Sequence, residues 1–118
     1  MKPVTRVYLY DEEGNKFFGE GPYRLLRGVE ETGSLRASAM AMGMAYTKAL
    51  RLLHTAESAL GYPLTTRSAG GHAGGGSRLT PQGAAFLADY ARYRDRCAEE
   101  NRLLWQREFS RYDPETSK

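Results

Sequence analysis

With 118 residues, 41% of them hydrophobic, the chain is long enough for one domain with one modest core. It has no run of about 18 apolar residues to span a membrane, and its opening, MKPVTRVYLYDEEG, lacks the apolar centre of a signal peptide. One cysteine, Cys97, excludes an internal disulfide and fits a reducing cytoplasm, and a formal net charge of +3 is compatible with an anionic partner without requiring one.

Residues Val4 to Tyr10 alternate, with Val7 and Leu9 on one side and Arg6, Tyr8 and Tyr10 on the other, as in a half-buried strand. Glu13-Gly14-Asn15 supplies a turn, and Lys16-Phe17-Phe18 returns as a short second strand. Gly19, Gly21 and Pro22 end this hairpin, and Pro22 suits the first position of a helix. Leu25, Leu26 and Val29 give that helix an inward stripe, and Thr32-Gly33 closes it.

Ser34 is placed to cap a second helix by accepting a backbone N–H of its first turn. Gly43 can take the positive φ that ends this helix and turns the chain at once. A third helix runs from about Ala45 to Leu60, with Gly61 and Pro63 stopping it. On a helical wheel Ala49, Leu52, Leu53, Ala56 and Leu60 form a buried stripe. Thr47, Lys48, Arg51, Thr55 and Ser58 lie opposite: two cations, three hydroxyls and no carboxylate. A solvated amphipathic helix commonly has such a face; a helix that meets a polyanion has one too.

The charge distribution bears on that choice. Residues 1–32 carry 5 basic and 6 acidic side chains, residues 80–118 carry 7 of each, and residues 33–79 carry 5 basic and only 1 acidic, Glu57. The excess positive charge therefore falls on the two helices and the glycine run that follows, as on a nucleic-acid-binding surface.

In that run, TTRSAGGHAGGGSRLT, the segments 64–67 and 77–79 can pair as two short strands around a glycine-rich tip. Thr80 then caps, and Pro81 begins, a last helix reaching about Phe109, roughly 40 Å at 1.5 Å per residue. Phe86, Tyr90, Tyr93, Cys97 and Leu104 recur along it at helical spacings. The final DPETSK has the composition of a disordered tail. The expected organisation is one domain over residues 1–110 and a tail over 111–118. The fold class is mainly α with small β hairpins: a winged helix-turn-helix with a long C-terminal helix.

The segments GEGPYRLLRGVEETGS (19–34), AMGMAYTKA (41–49) and AGGHAGGGSRLTPQG (69–83) resemble the N-terminal DNA-binding domain of the molybdate-responsive ModE repressors, a winged helix-turn-helix related to that of LysR-type regulators. The similarity covers roughly Val4 to the middle of the last helix. Its most specific part is the glycine run leading into Arg-Leu-Thr-Pro-x-Gly. Leu50 stands where family members often have tryptophan, and the chain ends where the molybdate-binding domains of the full repressors would begin. The resemblance therefore implies DNA binding and lends nothing to molybdate sensing.

By position, the resemblance puts Thr47, Lys48 and Arg51 against base edges; the wheel selects the same three residues. It puts His72, Ser77 and Arg78 on phosphates, where Ser34, Tyr46, Thr55, Arg67, Gly74 and Gly75 are further candidates for backbone contacts. Tyr90, Tyr93, Cys97, Leu103, Leu104 and Trp105 are the candidates for a dimer contact. The expected partners are double-stranded DNA and a second copy of the chain, with no membrane, in the cytoplasm at the nucleoid.

Other chemistries find little support. The glycine loop lacks the Gly-Lys-Ser/Thr ending of a P-loop. His54, His72 and the distant Cys97 offer no metal-ligand spacing. No Ser/His/Asp set or carboxylate pair suggests catalysis, so neither enzymatic activity nor a metal or cofactor is expected. Two alternatives stay open: a winged-helix module that binds a protein partner, and, ranked last, a small nucleotide-dependent enzyme built on the glycine loop.

Overall fold

Leu25, Leu26 and Val29 are each 1% exposed and form the centre around which the other elements pack. They belong to α1 (Glu20–Thr32) in a computed structural model that describes residues 1–68 and 76–114. The chain is mainly helical, with two small antiparallel hairpins and a long C-terminal helix. The remaining elements are β1 (Leu9–Tyr10), β2 (Lys16–Phe18), α2 (Leu35–Ala41), α3 (Tyr46–Leu60), β3 (Thr65–Ser68), β4 (Gly76–Leu79) and α4 (Pro81–Phe109), closed by a 3-10 turn at Ser110–Tyr112. This is the element order expected of a winged helix-turn-helix with an extended last helix.

The first hairpin pairs less than the alternation suggests. Val7 and Leu9 are half-buried while Arg6, Tyr8 and Tyr10 are exposed, so the faces follow the pattern. Ladder pairing is confined to Leu9 with Phe18 and Tyr10 with Lys16, with an irregularity between them. The tip is held by Asp11, whose Oδ1 accepts the N–H groups of Glu13 (3.0 Å) and Asn15 (2.8 Å). α1 begins at Glu20, so Pro22 is its third residue rather than its first. First-turn N–H groups lack intrahelical partners, so proline costs little there, and the Glu20 carboxylate sits favourably at the positive end of the helix.

α1 and α2 cross without a gap. A Cβ on Gly28 would lie 2.0 Å from Ser38 Oγ, so no larger residue fits this crossing as it stands. The buried Ser38 hydroxyl donates to the Leu25 carbonyl at 2.6 Å and is thereby satisfied. Ser34 caps α2, accepting from Ala37 N–H at 3.0 Å. Gly43 has φ +65°, a conformation glycine adopts without strain, and reverses the chain toward α3.

β3 and β4 pair in the register Thr65–Leu79, Thr66–Arg78, Arg67–Ser77 and Ser68–Gly76. Their base is fixed twice. Ser77 N–H donates to the Gly33 carbonyl at 2.8 Å, and Thr80 N–H to the Leu64 carbonyl at 2.9 Å. Thr80 also caps α4, accepting from Gly83 N–H at 2.9 Å while its hydroxyl donates to the Pro63 carbonyl at 2.8 Å.

α4 packs on the body through Leu87 and Tyr90. Tyr90 is 3% exposed, its ring meets Phe18 edge-on at 5.0 Å, and its hydroxyl donates to the Val7 carbonyl at 2.8 Å. Tyr90, expected in a contact between copies, is thus packed into its own core. Arg94 ties the same stretch of α4 to α1, pairing with Glu20 at 3.2 Å and lying 4.7 Å over the Tyr23 ring. Asp95 first, and Glu20 after it, raise the Arg94 guanidinium above its usual range and keep it charged. Further along, Asn101 donates to the Thr5 hydroxyl at 2.6 Å, and the molecule measures 62 Å along its longest axis.

Candidate nucleic-acid interface

α3 lies between the two hairpins with its outward face open. Its buried side is Ala49, Leu53 and Ala56, as the helical period dictates. Thr47, Lys48, Arg51, His54, Thr55 and Ser58 are all exposed. Thr47, Arg51 and His54 border a groove of about 850 Å³ whose far wall is Asp11, Glu13 and Asn15 of the first hairpin tip. Lys48 and Thr55 lie toward the first hairpin, beside Phe17 and Tyr8. Thr55 is thus on the flank toward the first hairpin, away from the wing.

The other flank is a groove of about 400 Å³ between α3 and the β3–β4 wing, and Ser34, Tyr46, Arg67 and Ser77 line it. The Ser34 hydroxyl already serves as the α2 cap. Arg78 does not line this groove. It pairs across the ladder with Thr66, which does line the groove, and both are exposed. His72, Gly74 and Gly75 lie outside the described residues.

The electrostatics follow from the pairing. The ion pairs among the described residues are Arg27–Glu30, Arg92–Asp89, Arg94–Glu20, Arg94–Asp95 and Arg102–Glu99, all outside residues 33–79. Arg36, Lys48, Arg51, Arg67 and Arg78 have no carboxylate partner among the described residues. Glu57, the one carboxylate of this region, accepts the Leu64 N–H at 2.8 Å and so holds the turn between α3 and β3. Residues 33–79 thus offer free cationic donors and one carboxylate already engaged by the backbone, while Asp11 and Glu13 of the first hairpin face Arg51 across the groove.

One residue here received no role from the sequence. The guanidinium carbon of Arg36 lies 4.0 Å from the centroid of the Tyr46 ring, and both residues line the wing-side groove. Arg36 stood out only as one of the five cations.

The dimer candidates other than Tyr90 lie on α4. Tyr93, Leu103 and Leu104 are exposed, while Cys97 and Trp105 are half-buried. Hydrogen bonding to Cys97 raises the Tyr93 hydroxyl above its ordinary range. Trp105 stacks on Phe109 at 4.8 Å. Among the described residues no group of three His, Cys, Asp or Glu side chains is placed to hold a metal ion, and no helix is long and apolar enough to cross a membrane.

No protein-family model matches the chain. Over 66 residues it is 38% identical to the molybdenum-pterin-binding protein MopB of Rhodobacter capsulatus, an alignment covering 56% of this chain and 24% of that protein. It is 36% identical over 67 residues to the molybdenum transport protein ModE of Azotobacter vinelandii, covering 57% of this chain and 25% of that one. It is 36% identical over 66 residues to the protein of the same name from Herbaspirillum seropedicae, covering 56% and 24%. The chain therefore spans about a quarter of the length of the curated relatives it matches, and through that quarter it is a distant relative of proteins named ModE and MopB.

Proposed function

We propose that this protein is a sequence-specific regulator of transcription that binds duplex DNA, with α3 in the major groove and the β3–β4 wing along the backbone. Residues 1–110 act as one DNA-binding unit, and the outer part of α4 pairs two copies. The observation that carries the reading is the set of five cations on and around α2, α3 and the wing without carboxylate partners, while Glu57 is turned to a backbone N–H. A face built only for solvation has no need to separate the signs in this way; a face that meets phosphates does.

Thr47, Lys48 and Arg51 are the base-reading side chains, and guanine is the natural target of Arg51, whose planar fork matches O6 and N7. Arg67, Ser77, Arg78 and Tyr46 contact phosphates, which orient the domain without specifying sequence. The likeness to the ModE proteins supports the same reading, and the molybdenum in the relatives' names makes genes of molybdenum uptake the first place to seek bound fragments.

The test is selection of bound fragments from random and genomic DNA, followed by salt titration of the selected duplex and a scrambled one. The expected result is an enriched motif, tighter binding to it, and an affinity for both duplexes that falls steeply with salt. Absence of enrichment together with salt-insensitive or undetectable binding overturns the reading in favour of a protein-interaction module.

A further inference from the structure

We propose that Arg36, stacked on Tyr46, is a pre-formed clamp for one backbone phosphate on the wing side of α3; this rests on the DNA-binding reading above and adds to it a residue and a geometry. Arg36 is in the first turn of α2 and Tyr46 is the first residue of α3, so the Gly43 turn brings them together. The guanidinium lies over the ring face at 4.0 Å. A guanidinium stacked by its face keeps its N–H groups directed outward in its own plane, free for an acceptor at the edge. Arg36 itself is exposed and has no carboxylate or hydrogen-bond partner among the described residues.

The surroundings complete the clamp. Arg67 and Ser77 line the opposite wall of the same groove. The wall is held in place because Ser77 N–H is bonded to the Gly33 carbonyl, one residue before the α2 cap. Arg36 and Arg67 thus border one groove from α2 and β3, and Ser77, the ladder partner of Arg67, is bonded to the residue before the α2 cap. Glu57 also lines this groove, but its carboxylate is engaged by Leu64 N–H. A long arginine side chain ordinarily loses rotamer freedom when it binds; stacking removes part of that loss before the phosphate arrives. A phosphodiester fits this arrangement because it offers two acceptor oxygens to the forked donor.

The experiment is salt titration, by fluorescence anisotropy, of wild type, Arg36→Gln, Arg36→Lys and Tyr46→Leu on the selected and scrambled duplexes, with thermal melts monitoring the fold. Arg36→Gln is expected to lower affinity for both duplexes by the same factor and to reduce the magnitude of the salt slope by about 0.9 per protomer contact. Arg36→Lys keeps the slope and loses several-fold in affinity, because the charge remains and the stacked plane does not. Tyr46→Leu behaves like Arg36→Lys for the same reason, with the charge present but unguided. If Arg36→Gln changes melting alone and leaves slope and affinity as in wild type, the stack is structural and the clamp is overturned while DNA binding stands. A loss confined to the selected duplex makes Arg36 a base reader and also overturns the clamp. If wild type binds neither duplex, the functional reading fails and the clamp fails with it.

Discussion

Tyr90 donates its hydroxyl to the carbonyl of Val7, 83 residues earlier in the chain, at 2.8 Å. This bond joins α4 to the irregular segment before β1, and removing it is expected to cost about 1 kcal/mol in Tyr90→Phe, the usual net value of one intramolecular hydrogen bond. The bond also has a pH signature. Burial, and after it the Glu20 charge, raise the Tyr90 hydroxyl above its ordinary 10.0, against the opposing charge of Arg94. A group raised in the folded state contributes stability that is complete below its unfolded value and is lost as pH rises through the folded value. Denaturant unfolding of wild type should therefore weaken as pH climbs past 10, and Tyr90→Phe should lack that part of the decline. An identical alkaline decline in the mutant would show that another group governs it.

Arg51 and Arg78 should fail in different ways. Arg51 is on the open face of α3 and Arg78 is exposed on the returning strand of the wing. Arg51→Ala is expected to cost about 1–3 kcal/mol on the selected duplex for each reading contact and much less on a scrambled one. Arg78→Ala should weaken both alike and lower the magnitude of the salt slope by about 1 per protomer contact. Titration of both duplexes at several salt concentrations separates the two, and a reversed pattern would exchange the assignments.

Asp11 and Glu13 of the first hairpin line the same groove as Arg51, and Glu12 lies between them in the turn. Asp11 is used to hold the turn, but Glu12 and Glu13 are exposed. On the proposed reading they would repel the nearest phosphates of a seated duplex. Glu12→Gln with Glu13→Gln should therefore tighten binding to selected and scrambled duplexes alike at low salt, with the gain shrinking as salt screens it. Weaker binding in the double mutant would mean that the tip donates to, or orders, the contact.

The outer part of α4 leaves Leu103, Leu104, Phe109 and Tyr112 between 40% and 53% exposed. On the proposed reading that apolar surface pairs two copies, which would set two α3 helices roughly 34–36 Å apart, one turn of duplex. Sedimentation equilibrium should give a dimer for the intact chain and weaker association for a version ending at Arg102. A monomer at high micromolar concentration would contradict the pairing.

The signals that proved legible in the sequence were local ones. Thr80-Pro81 fixes the start of α4 and Gly61 the end of α3, because each needs only its own neighbours to act. The stripes of α1 and α3 were legible because one helical period suffices to define a face. What needed a partner far along the chain was not. The extent of β1 depended on a return strand only three residues long. The period grouped Tyr90 with Tyr93, but only the position of Phe18 decides that Tyr90 turns inward while Tyr93 stays outside. Likewise the face of Arg78 is set by ladder register, and the stacking of Arg36 on Tyr46 by the angle of a turn. On α3 the exposed residues agree with the wheel, yet what they touch depends on two hairpins whose placement the wheel does not contain.

A single residue, Thr80, separates the wing strand β4 from the first residue of α4. The wing and a 29-residue helix therefore share one joint, but beyond it the helix is moored at Tyr90 to Val7, at Arg94 to Glu20 and at Asn101 to Thr5. A load on Trp105 or Phe109 is thus borne by these moorings before it reaches Thr80, and the wing is shielded from bending at the far end of α4.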